Sequence, residues 1–204
     1  AMSAQAATPA RWVSDVRAAD DAALDSAIAK LESFLNEYPS SNVRPNALLQ
    51  LGELLVRRAD EQFAQTQRGT AAAGSDSSTS GREGQIRPDY APAIARYEEL
   101  VRRYPNFDRI DAAAYTLGTL YNAELRYADA ARMFELVTTQ DSSRFRGEAF
   151  FRLGDANFEL ASKERGTARK ALFAKAATAY EQATKINPPN SDIYFLALYK
   201  LGWS

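Results

Sequence analysis

The stretch AAAYTLGTLYNAELRYADAARMFELV, residues 112–137, decides the fold. Its first half places Ala114, Leu117, Gly118 and Tyr121 at intervals of three and four, one face of a helix. Its second half does the same with Ala130, Phe134 and Val137. Two amphipathic helices joined by a few polar residues form an antiparallel hairpin. The small Ala and Gly leave space for the large side chains of the partner helix. Gly inside a helix costs about 1 kcal/mol relative to Ala, so its presence there calls for a steric reason.

Both halves recur. Leu-Gly pairs occur at Leu51-Gly52, Leu117-Gly118, Leu153-Gly154 and Leu201-Gly202. The second signature, a small residue with a large one four later, returns at Ala27–Leu31, Ala93–Tyr97, Ala130–Phe134 and Ala176–Tyr180. Twelve residues after its first Ala come Pro39, Pro105, Ser142 and Pro188. Pro ends a helix by removing a donor and restricting the residue before it. The distance from this stop to the following Gly stays between 12 and 14 residues. Alternating signatures at a fixed register predict an all-α chain built as an array of antiparallel helix pairs.

These residues resemble the tetratricopeptide repeat (TPR) family. Residues 114–137 reproduce that family's helix-A and helix-B spacing without insertion, with Ser142 in place of the usual Pro. The resemblance covers roughly residues 22–204 apart from two insertions, and implies a right-handed superhelical solenoid. The links beginning Tyr38-Pro39 and Tyr104-Pro105 are similar to those of bacterial periplasmic repeat proteins, as is the terminal LALYKLGWS. Outer-membrane-assembly lipoproteins and the coordinator of the Tol–Pal system belong to that group. The implied location is periplasmic, with outer-membrane tethering as an option and a cytoplasmic location as the alternative.

Counting along the array locates what has been added. Ala93 follows Gly52 by 29 residues more than the 12 that separate Gly118 from Ala130. The excess includes GTAAAGSDSSTSGREG, residues 69–84, which has no large apolar side chain to bury. Residues 66–88 are therefore expected to form a flexible insertion. A second excess of ten residues separates Gly154 from Ala176. There, Leu160, Ala161, Ala168 and Leu172 alternate with Lys and Arg, so residues 160–175 are expected to lengthen two helices with a turn at Gly166. The array spans residues 11–204, residues 1–10 are expected to be disordered, and Ala1 before Met2 is expected to be a tag remnant. Residues 22–38 supply a B-type helix, with residues 11–20 as its partner or a capping extension. At the other end, residues 193–204 supply an A-type helix without a B helix, so truncation within a repeat is expected, with possible self-association through that helix.

Composition narrows the function. The 204 residues carry 25 Lys+Arg against 26 Asp+Glu and are 46% hydrophobic. That balance offers no excess charge for nucleic acid, and no apolar run reaches the ~20 residues of a membrane span. The chain has no Cys and no His. Thiol nucleophiles, imidazole bases and Cys/His metal sites are thereby excluded. Asp20-Asp21 are adjacent and diverge on a helix, so they form no acid–base pair. No phosphate-binding loop is present. The expectation is a noncatalytic protein needing no cofactor or metal. The basic run Lys163, Arg165, Arg169, Lys170 and Lys175 is read as a solvated helical face, with an anionic ligand as the alternative.

In the resembled family, partners lie along the concave face of the A helices. The matching positions are Leu49, Glu53 and Arg57; Tyr115, Thr119 and Asn122; Phe151 and Asp155; and Tyr199 and Trp203. The resemblance implies that these ten contact a protein or peptide partner; the alternative for the aromatics is burial between adjacent A helices. The Lys/Asn/Arg clamp by which some family members hold a C-terminal carboxylate is absent, its positions being Leu49, Glu53 and Tyr115. The expected function is a protein–protein interaction scaffold of the bacterial envelope. Two alternatives remain: an interaction module of a larger enzyme or signalling protein, and a binder of peptidoglycan or another small ligand.

Overall fold

A computed structural model describes residues 9–72, 87–186 and 191–203. All regular structure among them is helical: α1 Pro9–Glu37, α2 Arg44–Ala72, α3 Ala91–Arg103, α4 Ile110–Ala123, α5 Tyr127–Thr138, α6 Arg146–Lys163, α7 Gly166–Thr184 and α8 Ser191–Leu201. The chain forms two compact units, Ala1–Arg96 and Tyr97–Ser204, whose boundary falls inside α3. The expected flexible insertion is only partly in view: residues 66–72 continue α2, whereas 73–86 lie outside the described residues, as do residues 1–8.

In the first unit, α1 and α2 pack antiparallel. Arg44 Nη1 donates to the Leu35 carbonyl at 2.5 Å, Arg58 pairs with Asp25 at 3.3 Å, and Gln65 donates to Asp21 at 3.0 Å. Leu24, Ile28 and Leu35 of α1 are buried, as are Leu48, Leu51 and Leu55 of α2. Residues 11–20 do not form a separate partner helix; they extend α1. The physical reason is local: between Pro9 and Glu37 there is no Gly or Pro, and Ala18-Ala19-Asp20-Asp21-Ala22-Ala23 favours continued helix.

In the second unit, α4, α5, α6, α7 and α8 each pack on the next, and α6 also meets α8. Two of the Leu-Gly pairs, at Gly118 and Gly154, explain why the helices come so close. A Cβ placed on Gly118 would lie 2.8 Å from Phe134 Cε1 of α5, and one on Gly154 would lie 2.5 Å from the Tyr180 ring of α7. Phe134 and Tyr180 are both fully buried. Each ring occupies the volume that the glycine leaves empty. Burying a Phe is worth roughly 1.5–3 kcal/mol, so the aromatic offsets the ~1 kcal/mol helix cost of its glycine.

The links between hairpins are built alike. Ser41 and Arg44 donate main-chain hydrogen bonds to Tyr38 and Ser41; Phe107 and Ile110 donate to Tyr104 and Phe107; Ser143 and Arg146 donate to Gln140 and Ser143. The third link has Ser142 where the others have Pro, and side chains anchor it, as Arg44 anchors the first. Ser143 Oγ donates to Asp111 Oδ2 at 2.6 Å, and Arg146 Nε to the Thr138 carbonyl at 3.0 Å.

Two tight turns set the hairpins. After α4, Arg126 N–H bonds the Tyr121 carbonyl and Leu125 N–H bonds that of Asn122, a Schellman closure with Leu125 at φ +59°. At the other turn, α6 runs to Lys163 and α7 opens on Gly166 at φ +61°, so the ten added residues lengthen both helices.

The two kinds of glycine predict opposite mutational signs. Gly154→Ala is expected to cost about 1–3 kcal/mol by forcing Tyr180 aside. Gly69→Ala, with nothing within 4 Å of its Cβ, is expected to be neutral or to gain up to about 1 kcal/mol. Chemical denaturation of the two variants checks this; equal effects would contradict the packing argument.

Candidate partner-binding surfaces

Helices α4, α6 and α8 carry six of the ten expected contact residues, and a seventh, Trp203, follows the end of α8. Tyr115 on α4 is half-buried, stacked on Phe145 with centroids 4.9 Å apart and edge-on to Phe134 at 5.9 Å. Its hydroxyl interacts with Glu148 and Arg152 of α6, and Arg152 Nη2 in turn donates to Glu148 Oε1 at 3.1 Å. Thr119 is exposed, its hydroxyl returned to the Tyr115 carbonyl at 3.0 Å, and Asn122 is half-buried. Asp155 accepts from the Tyr180 hydroxyl at 2.8 Å and pairs with Lys200 of α8 at 3.3 Å. Tyr199 and Trp203 are 62% and 68% exposed, with ring centroids 6.2 Å apart.

Phe151 does not belong to this surface. It is buried among Ala176, Tyr180, Ala183 and Ala197, its ring 5.7 Å from that of Tyr180, because α8 covers it. In the first unit Leu49 is likewise a core residue, 2% exposed. Glu53 and Arg57 are exposed, and Arg57 Nε donates to Glu61 at 2.7 Å.

Two features escaped the sequence reading. Glu148, Arg152 and Lys200 bind the A-type helices to one another, and the i, i+4 spacing of Glu148 and Arg152 was the available signal. The face of α8 that was expected to lack a B-helix cover carries exposed Phe195, Leu196 and Leu198 beside Tyr199. A cavity of about 630 Å³ lies elsewhere: a groove between α5 and α7 whose floor is Phe150, Leu153, Asn157 and Leu160 of α6. These four recur at three- and four-residue spacing, a stripe visible in the sequence but assigned there to no surface.

Burial governs the electrostatics. It pushes the Tyr115 hydroxyl up to about 12, helped by the hydrogen bond to Glu148. Burial also raises Tyr121, with Glu98 accepting its proton at 2.5 Å, and Tyr180, reinforced by the charge of Asp155. At the start of α5, burial pushes the Asp129 carboxyl up, but hydrogen bonds from Arg126 and Arg132 outweigh it and hold the group below the ordinary value. Among the described residues, no cluster of three carboxylates offers a metal site, and no helix is long and apolar enough to cross a membrane.

No protein-family model matches this chain, and no curated protein matches it. The surfaces themselves must carry the functional argument.

The raised tyrosines predict alkaline sensitivity. Unfolded tyrosines lose their protons near pH ~10, whereas Tyr115 keeps its proton to about 12 in the folded state. Between those values the unfolded chain binds fewer protons, so stability is intact below about pH 10 and falls as pH rises toward 12. Melting temperature measured across this range should drop, and Tyr115→Phe should make the drop shallower. An unchanged slope in the variant would contradict the assignment.

Proposed function

We propose that this chain is a noncatalytic protein–protein interaction scaffold of the bacterial cell envelope, built as a TPR-like right-handed superhelical array. The observation that carries the reading is the row of side chains at matching helical positions. Tyr115 and Thr119 of α4 correspond, counted from their Leu-Gly pairs, to Phe151 and Asp155 of α6 and to Tyr199 of α8 and Trp203 just after it. Except for Phe151, these residues are half-buried or exposed. Such a row offers aromatic surface with polar groups beside it, suited to an extended peptide or an amphipathic helix. Tyr199 and Trp203 are its most open members, and exposed aromatics are frequent anchors of protein interfaces.

The repeated glycine–aromatic contacts and the repeated link bonds support the array. The periplasmic assignment rests on the resemblance of the Tyr-Pro links to envelope repeat proteins. On the first unit by itself Glu53 and Arg57 are exposed; Leu49 and Phe151 are core residues of their own units.

Photo-crosslinking in intact bacterial envelope tests this reading. A photoreactive amino acid at Thr119 or Tyr199 should give discrete adducts with an envelope protein. One at Glu181, exposed on α7, serves as the comparison. The double variant Tyr199→Ala, Trp203→Ala should lose at least ~90% of the adduct formed from Thr119, equivalent to about 1.4 kcal/mol, while its melting temperature stays within ~2 °C of wild type. Adducts of equal yield from Glu181, or none from either position, would overturn the proposal.

A further inference from the structure

Helix α6 presents two unlike faces. Glu148, Arg152 and Asp155 are engaged with α4, α7 and α8, whereas Phe150, Leu153, Asn157 and Leu160 lie roughly opposite, at about 100° per residue, and floor the groove between α5 and α7. We propose that this groove docks a short amphipathic helix of a partner protein, with acidic side chains flanking its apolar stripe. This goes beyond the preceding reading and does not rest on it, since it concerns a separate surface.

The dimensions favour a helix. The floor stripe runs from residue 150 to 160, a rise of about 15 Å at 1.5 Å per residue. That matches a partner helix anchored at i, i+3 or i+4, and i+7. The walls are themselves helices, and they face the cavity with Ala128 and Ala131 on α5 and Ala174 and Ala179 on α7. Small side chains allow a third helix to settle at the ~8–10 Å axial distance of ordinary helix packing.

The charge of the rim selects the partner. Arg132 stands on the α5 wall and Lys175 on the α7 wall, both exposed, while Glu135 is the acidic lining residue. Arg132 shares Asp129 with Arg126, leaving Lys175 as the more available cation. Beyond the groove, the first turn of α7 adds exposed Arg169 and Lys170, with Arg165 and Glu164 just before it. A carboxylate-bearing helix is thus attracted chiefly by Lys175 on the α7 wall and steered by the basic end.

The groove also owes its depth to the added segment. Leu160, Leu172, Ala174 and Lys175 all fall within residues 160–175, the stretch that lengthens this hairpin by ten residues relative to residues 112–137. The basic run that reads in isolation as a solvated face becomes one side of a binding surface.

Fluorescence polarisation with the full chain tests the proposal. The probe is a labelled helical peptide of ~14 residues, about four turns, with Leu at the groove-facing positions and Glu beside them. A second probe replaces each Glu by Lys, and dodecanoate serves as a small-amphiphile competitor. The Glu peptide should bind at least ~10-fold more tightly than the Lys peptide. Arg132→Glu combined with Lys175→Glu, both at exposed positions, should reverse that preference, and Ala174→Arg should abolish binding by filling the groove. Tyr199→Ala with Trp203→Ala should leave this binding unchanged, separating it from the surface proposed above. Four outcomes would overturn the inference: no peptide binding up to roughly millimolar concentration, equal affinity for both probes, binding of dodecanoate alone, or self-association of the chain through the groove.

Discussion

Everything in the second unit depends on an aromatic ring seated where a glycine has no side chain. Phe134 on Gly118 and Tyr180 on Gly154 repeat one contact within each of two successive hairpins, and each ring is fully buried. The contact fixes the distance between two helices and also their register, because a shift of one residue would place a Cβ against the ring. Helix packing of this kind is not adjustable by small amounts: interiors are packed to crystal-like density, and the nearest alternative arrangement is a full ridge away. The link bonds and the Ser143–Asp111 anchor then hold a spacing that the ring contact has already set.

Much of this was readable in the residues. The Leu-Gly pairs and the Ala-to-aromatic spacing name the interacting positions, and Gly166 marks the turn where α7 begins. The continuity of α1 was harder to read. A B-type signature at 22–38 invites a separate partner before it, yet no breaker interrupts residues 11–37, and propagation of an existing helix costs little. Spacing gives the face of a helix but not the number of neighbours that cover it. Tyr115 and Phe151 occupy the same position relative to their glycines, and only the second is closed over, by α8.

The same limit hid the groove. Phe150, Leu153 and Leu160, interrupted by Asn157, form an apolar stripe like those that face a core. Nothing in a one-dimensional pattern says that α5 and α7 stand apart above it. Conversely, Asp155 on the opposite face was expected to await a partner, and it is already paired within the chain with Tyr180 and Lys200, while Glu148 and Arg152 beside it engage Tyr115. These pairs lock α6 against its neighbours, leaving Tyr199 and Trp203 as the open aromatic surface on that side. The molecule therefore offers two chemically different faces on one scaffold, one aromatic and polar, one apolar with a cationic rim.

The central claim is that glycine and ring are complementary volumes, so the most direct measurement is a double-mutant cycle at Gly118 and Phe134. Unfolding free energies would be compared for Gly118→Ala, Phe134→Leu and the pair together. If the ring fills the glycine's space, the smaller Leu relieves the clash, and the double variant will be more stable than the sum of the two losses predicts, by about 1 kcal/mol or more. Losses that simply add would mean that Gly118 and Phe134 do not share a volume, and the account would fail at its base.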